Sequence, residues 1–125
     1  MKQHLHDIRE KVNLIQSALL RFQDKDKLVT LHVKAVANED ESIDCVVTES
    51  DSLHRLVNKK VRVVQKYKDD YIYISGKVSA EVRKNKRILS IVINRACWFE
   101  RRSKGGVTWL HEKYIYDRIP LPLAS

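Results

Sequence analysis

Histidine and cysteine are the residue types of this chain that could bind a metal ion or act as a nucleophile, and their spacing favours neither role. Cys45 and Cys97 are far apart, and each lies in an apolar run, IDCVV and RACWF. Neither has the close Cys or His neighbours of a zinc site. His4 and His6 stand together, but no further Cys or His is nearby to complete a site. We predict no metal ion, and we expect both cysteines to be small buried core residues with no need for a disulfide.

The other reactive side chains form no recognisable catalytic set. Asp and Glu residues are scattered over segments with the composition of turns, and no local context supports a Ser-His-Asp arrangement. The chain has neither a Walker loop nor a GxGxxG motif. These residues therefore leave open whether the protein is an enzyme.

The balance of charge is strongly basic. The formal net charge is +8, which can reflect nucleic acid, an anionic cofactor or only a well-solvated surface. A basic barrel that carries Tyr67, Tyr71 and Tyr73 could present a surface for single-stranded nucleic acid. The basic residues, however, are spread along several turns and strands instead of forming one stripe interleaved with aromatics. Nucleic acid is therefore the less favoured partner.

The N-terminus and the longest apolar runs bear on location. Charged residues recur between Lys2 and Lys11, unlike the pattern of a signal peptide. No stretch approaches the roughly 18 consecutive apolar residues that cross a bilayer. We expect a cytoplasmic protein with no membrane partner.

The elements that must position these side chains begin with a helix. Leu5, Ile8, Val12 and Ile15 recur at spacings of three and four, which predicts a helix within residues 1–16 that has one apolar stripe. Beyond this helix the apolar period shortens to two, as expected of strands with one buried face.

Seven stretches are then predicted as strands separated by polar turns. They are SALLRFQ, LVTLHVKAV, SIDCVVT, VRVVQKY, YIYISGKVSAEV, RILSIVINRACWFERR and VTWLHEKYIYDRI. A short helix is predicted at residues 52–58, because Ser50, Asp51 and Ser52 are good capping residues. Strands of this number and length should close, or nearly close, into a barrel, since closure removes exposed edges. The predicted fold class is mainly β, a barrel of six or seven strands.

Two local features bear on the shape of that barrel. Gly76 lies inside the fifth strand, where it indicates a bend or a close backbone approach, and Val78 and Ala80 should share its face. Residues 83–87, RKNKR, are predicted to form a basic turn. The strand that follows is apolar on both faces over residues 88–93, which indicates a central position.

This order of elements resembles the flavin-binding split barrels of the pyridoxamine 5'-phosphate oxidase superfamily, in particular the general-stress-protein branch. The phrases that carry the resemblance are SALLRFQDKDKLVTLHVKAV, SIDCVVTESDSLHRL, VRVVQKYKDDYIYISGKVSAEV and ILSIVINRACWFE. They span roughly residues 5–117 of a single domain over residues 1–125. The resemblance implies a split barrel at residues 17–117 with a tail at 118–125, a homodimer, and flavin mononucleotide (FMN) bound at its interface. It also implies a flavin-dependent redox or stress-related role.

The resemblance also assigns flavin contacts. The residues concerned are His32, Lys34, Thr48, Ser52, His54 and Arg55. The first two would face the flavin ring from the polar side of the second strand. The third would touch the flavin or its phosphate, and the last three would bind the phosphate. Hydroxyl groups, cationic side chains and the amides at a helix start suit a phosphate dianion.

Departures from the family pattern leave other functions open. Leu53 stands where better-equipped relatives carry Arg or Lys, and Leu28 and Val29 replace an Arg-Pro pair. These changes favour a cofactor-free structural or interaction barrel as an alternative. Haem, which some split barrels bind, would need an axial histidine, and the candidates are His32, His54 and His111. The late aromatics are expected to fill a barrel core or a dimer seam; they are Trp98, Phe99, Trp109, Tyr114 and Tyr116.

Overall fold

Seven antiparallel strands follow one short helix in a computed structural model, which describes residues 5–47, 56–83 and 86–117. The elements are α1 (Leu5–Val12), β1 (Ser17–Asp24), β2 (Lys27–Ala37), β3 (Ser42–Val47), β4 (Lys60–Tyr67), β5 (Asp70–Arg83), β6 (Arg87–Lys104) and β7 (Val107–Asp117). Each strand begins within two residues of its predicted start. The mainly-β fold expected from the alternating sequence is confirmed.

The sheet closes on itself. Its strand order is β3-β2-β1-β4-β5-β6-β7, and β3 pairs in addition with β6. Six strands therefore form a ring, and β7 lies outside it along the edge of β6. The first part of β6 pairs with β3, where Ile43 lies opposite Ile91, and the later part pairs with β7. This barrel-like closure is the arrangement that the sequence predicts.

Alternation along the strands fills the interior. In β2, Leu31, Val33 and Ala35 are buried, whereas His32 and Lys34 between them are exposed. The central strand β6 contributes its own buried set, Leu89, Ile91, Ile93, Ala96 and Trp98. Both cysteines are buried and free, as predicted.

The N-terminal helix packs against β6 and β7 and covers part of the core. Ile8 and Val12 are buried, and so is Ile15, which follows the helix. The helix is shorter than predicted because it ends in a tight turn, in which the Ile15 N–H donates to the Val12 carbonyl at 3.0 Å. No helix among the described residues has the length and apolar character needed to cross a membrane.

Irregularities in β5 bend the barrel wall. The pairing with β6 shifts register between Ser75 and Gly76 and again between Val78 and Ala80. A Cβ atom at Gly76 would overlap the carbonyl oxygen of Val92, so the close backbone approach predicted there is confirmed. Because of the second shift, Ala80 is exposed and does not share the buried face of Val78, so the prediction for Ala80 is wrong.

Two segments between strands also differ from prediction. Residues 56–58 form a turn instead of the end of a helix, and the turn is closed by the Lys59 N–H, which donates to the Leu56 carbonyl at 2.9 Å. Residues 52–55 of that predicted helix lie outside the described residues. Arg87 belongs to β6 and is buried, so it is not part of a solvated basic turn. Its buried side chain forms an ion pair with Glu81.

Candidate functional site

His32 and Lys34 lie on the outer face of β2, and both side chains are exposed. His32 is opposite Leu19 of β1, and Lys34 is opposite Ser17 of β1 and Val46 of β3. Leu19 and Val46 are half-buried. The two expected ring-contacting residues therefore stand beside a small apolar surface. Lys34 also borders an open cleft of about 640 Å³ that faces the β2–β3 turn.

The other four expected flavin residues, Thr48, Ser52, His54 and Arg55, lie outside the described residues, but both ends of their segment are described. β3 ends at Val47, which pairs with Val33, the residue next to His32. At the other end, Leu56 is fully buried, and its N–H donates to Glu81 Oε1 at 3.2 Å. The two described ends of the segment therefore lie beside the strand residue next to His32 and against Glu81.

A buried ion pair supports both ends of this segment. Arg87 Nε lies 3.0 Å from Glu81 Oε2, and the two side chains are 2% and 5% exposed. Val47 pairs in the sheet with Arg87, and Leu56 donates to Glu81, so each end contacts one member of the pair. An ion pair this deep requires good geometry to offset the loss of hydration. The pair therefore positions the two described ends, Val47 and Leu56.

A second group of polar side chains, which sequence reasoning missed, lines an open cleft of about 570 Å³. The strands β1 and β4 pair over residues 19–21 and 62–64, and the cleft opens beyond the last pair, Arg21 with Arg62. Lys60 adds a third cation, and the polar side chains around them are Gln23, Ser75 and Asn94. A volume of this size is in the range of small-ligand sites.

The electrostatics of this cleft are one-sided. Arg21, Lys60 and Arg62 are all exposed, and no carboxylate is among the described residues that line the cleft. In the described part of the chain, none of the three takes part in an ion pair. Like charges directly opposite each other on neighbouring strands are destabilising. The cleft is therefore suited to an anion.

Further cations and two tyrosines extend this surface. On the outer faces of β4 and β5, Lys66 pairs with Tyr71, Val64 with Tyr73, and Lys60 with Lys77. Both tyrosines are half-buried. Basic residues that are dispersed along the sequence are thus adjacent to tyrosines in space. We call this surface, made of Arg21, Lys60, Arg62, Lys66, Tyr71, Tyr73 and Lys77, the basic face.

The β6–β7 hairpin extends beyond the barrel. The pairing of β5 with β6 ends at Tyr71 and Phe99, and the later residues of β6 continue with β7 alone. On this arm, Val107, Trp109 and Leu110 are 62%, 42% and 51% exposed. The expectation that late aromatics fill the core holds for Trp98, whereas Trp109 faces solvent.

The thiols and histidines provide little for catalysis or metal binding. Burial, followed by the neighbouring charge of Asp44, raises the pKa of Cys45 to about 12. Burial also raises the pKa of Cys97, so both thiols stay protonated at neutral pH. In residues 5–47, 56–83 and 86–117, no cluster of three or more His, Cys, Asp or Glu could hold a metal ion. His32 and His111, two of the haem candidates, are solvent-exposed strand residues.

Comparison with known proteins leaves the family open. No protein-family model matches the chain, and no curated protein matches it. Among solved structures, the Bacillus subtilis inhibitor of motility (MotI/DgrA) aligns with a TM-score of 0.48 at 14% sequence identity. The alignment covers 82% of this chain and 59% of that chain, so the present chain spans less than two thirds of the length of MotI/DgrA.

Proposed function

We propose that this chain is a split barrel that binds FMN on the outer face of β2. The observation that carries the proposal is the pairing of Val47 with Val33, the neighbour of His32. A ligand lying on His32 and Lys34 would be within reach of the segment that begins after Val47. That segment contains the hydroxyl and cationic side chains to which the family resemblance assigns the flavin phosphate: Thr48, Ser52, His54 and Arg55.

The chemistry of the β2 surface supports this ligand. The flat flavin ring is apolar with polar edges, and Leu19 and Val46 give an apolar surface beside His32 and Lys34. The ammonium group of Lys34 suits a phosphate or an electron-rich ring edge. When bound, FMN would supply the redox chemistry, and the protein side chains would hold and orient it. A redox or stress-related role in the cytoplasm follows as part of the proposal.

The proposal includes a homodimer. The arm formed by the ends of β6 and β7 carries three exposed large apolar residues, Val107, Trp109 and Leu110. A two-stranded hairpin is only marginally stable by itself. Val107 and Trp109, two residues apart on β7, share one face of the arm, and exposed apolar side chains that lie together indicate an interaction surface. A second copy that packs on the arm would bury these residues.

The test is the absorbance spectrum of the freshly purified protein, followed by titration of added FMN. We expect a flavin spectrum, or quenching of flavin fluorescence at micromolar protein. Replacement of Lys34 by Ala should weaken FMN binding, because a charged contact is lost. The matched control is Lys27→Ala, which removes an exposed lysine from the start of the same strand. A colourless protein that does not quench FMN would overturn the proposal and favour the cofactor-free interaction barrel.

A further inference from the structure

We propose that the basic face binds single-stranded nucleic acid, with a backbone phosphate held in the cleft between Arg21, Lys60 and Arg62. This inference is independent of FMN, because none of the residues of the basic face is among the residues proposed to bind FMN. Three observations support it: the opposed cations, the shape of the cleft and the tyrosines beside it.

The first observation is the direct opposition of Arg21 and Arg62 across the β1–β4 pair. Two like charges in this position repel each other, and among the described residues no carboxylate of the cleft compensates them. A phosphate would offset the repulsion, because a guanidinium donates two parallel hydrogen bonds to its oxygens. Arg21 and Arg62 are therefore both available to bind a phosphate, since neither has an ion-pair partner among the described residues.

The second observation is that the cleft offers neutral donors beside these charges. Gln23 comes from β1, Ser75 from β5 and Asn94 from β6, so three strands contribute. The register shift at Ser75 and Gly76 interrupts the regular ladder at this position. The resulting cleft is open to solvent, which allows a polymer to enter and leave along its length.

The third observation is the continuation of the surface along the β4–β5 hairpin. Tyr73 lies one outward position beyond Ser75, and Tyr71 follows, opposite Lys66. Half-buried tyrosines at outward positions beside cations match the combination of aromatic and basic side chains in proteins that bind single strands without sequence preference. Arg62 and Lys66 are four residues apart on β4, about 13 Å at the usual rise per residue. Cations at this separation suit a ligand with repeated phosphates better than one isolated phosphate.

The surface ends at the turn between β4 and β5. Asp69 stands there, and its carboxylate lies 3.8 Å from Arg101 of the arm. A strand of nucleic acid would therefore run from the cleft to Tyr71 and stop before the arm. The arm also carries exposed cations, Arg102 and Lys104, which provide a control for charge alone.

The experiment is fluorescence anisotropy of a labelled oligothymidylate titrated with the full chain at several salt concentrations. We expect micromolar binding that weakens as salt rises. The variant R21A/R62A should bind at least tenfold more weakly, with a salt slope shallower by about 1.4. Tyr73→Ala should weaken binding about fivefold or more and leave the slope unchanged, because stacking releases no counterions. The control R102A/K104A, with the same charge change on the arm, should bind as the wild type does.

Four outcomes would overturn the proposal. They are no binding at low salt, an equal loss in R102A/K104A, full competition by inorganic phosphate at equal phosphate concentration, and duplex DNA bound as tightly as the single strand. The second would indicate nonspecific charge attraction, and the third a small-anion site. Circular dichroism of each variant verifies the fold, which these exposed substitutions should not disturb. Loss of FMN binding alone leaves this result unaffected, because the two surfaces use different residues.

Discussion

Glu81 and Arg87 form an ion pair inside the barrel, with Arg87 Nε 3.0 Å from Glu81 Oε2. Arg87 pairs in the sheet with Val47, and Glu81 accepts a hydrogen bond from the Leu56 N–H. Removal of one partner takes the ion pair away from the buried charge of the other. We expect Arg87→Met to lower the free energy of unfolding by about 3–5 kcal/mol, as measured by urea denaturation.

The exposed pair of Arg95 and Asp117 is the control for this prediction. Its N–O distance is also 3.0 Å, but the side chains are 44% and 48% exposed. Arg95→Met should therefore cost less than about 1 kcal/mol. Replacing both partners of the buried pair, as in E81L/R87M, should cost less than R87M alone. Equal losses at the two arginines would contradict the positioning role of the buried pair.

Gly76 provides a test of the barrel wall. Since a Cβ atom there would overlap the Val92 carbonyl oxygen, Gly76→Ala must displace β6. We expect a loss of about 1–3 kcal/mol in the free energy of unfolding. Lys77→Ala, on the exposed neighbouring position, should change stability by less than about 0.5 kcal/mol. If Gly76→Ala is as stable as the wild type, the strand pairing at this register shift is wrong.

The buried thiol of Cys45 predicts a loss of stability at alkaline pH. Its pKa is raised from 9.0 to about 12 by burial, so the unfolded chain releases the thiol proton before the folded chain does. Stability from this group is complete below pH 9 and falls as the pH rises towards 12. By pH 10 about 1.4 kcal/mol should be lost.

Comparison of wild type with Cys45→Ala isolates this contribution, because lysines and tyrosines titrate in both proteins. The difference between the two unfolding free energies should shrink between pH 8 and pH 10. A thiol reagent at pH 8 should react with neither cysteine until the protein is unfolded. Rapid reaction of the folded protein would show that a thiol is accessible.

The arm predicts the oligomeric state. If a second copy covers it, V107S/W109S should raise the dimer dissociation constant by more than about tenfold, since two exposed apolar side chains on one face of the arm are lost from the interface. Light scattering over a concentration series measures this. Thr108→Ser, between these two residues but on the opposite face of the arm, should leave the dimer intact. A wild-type protein that is monomeric at all concentrations would contradict the proposed homodimer.

The sequence predicts features that depend on local spacing. The exposed face of β2, with His32 and Lys34, follows from alternation, and the close approach at Gly76 follows from glycine within a strand. Arg87 could not be predicted as buried, because its partner Glu81, which pairs with Leu89, is brought near it by a hairpin whose register shifts are not encoded in a period of two. Arg21 and Arg62 are on outward positions of their own strands, but only the β1–β4 pairing shows that they face each other. The basic face was missed for that reason.

Binding of FMN is the central claim, and equilibrium titration of FMN with the purified chain tests it most directly. The account predicts saturable quenching of flavin fluorescence at micromolar protein. It also predicts weaker binding in Lys34→Ala, Ser52→Ala and Arg55→Ala, by about 1–3 kcal/mol for each charged hydrogen bond lost, while Lys27→Ala binds normally. A colourless protein that leaves the fluorescence of FMN unchanged would contradict it.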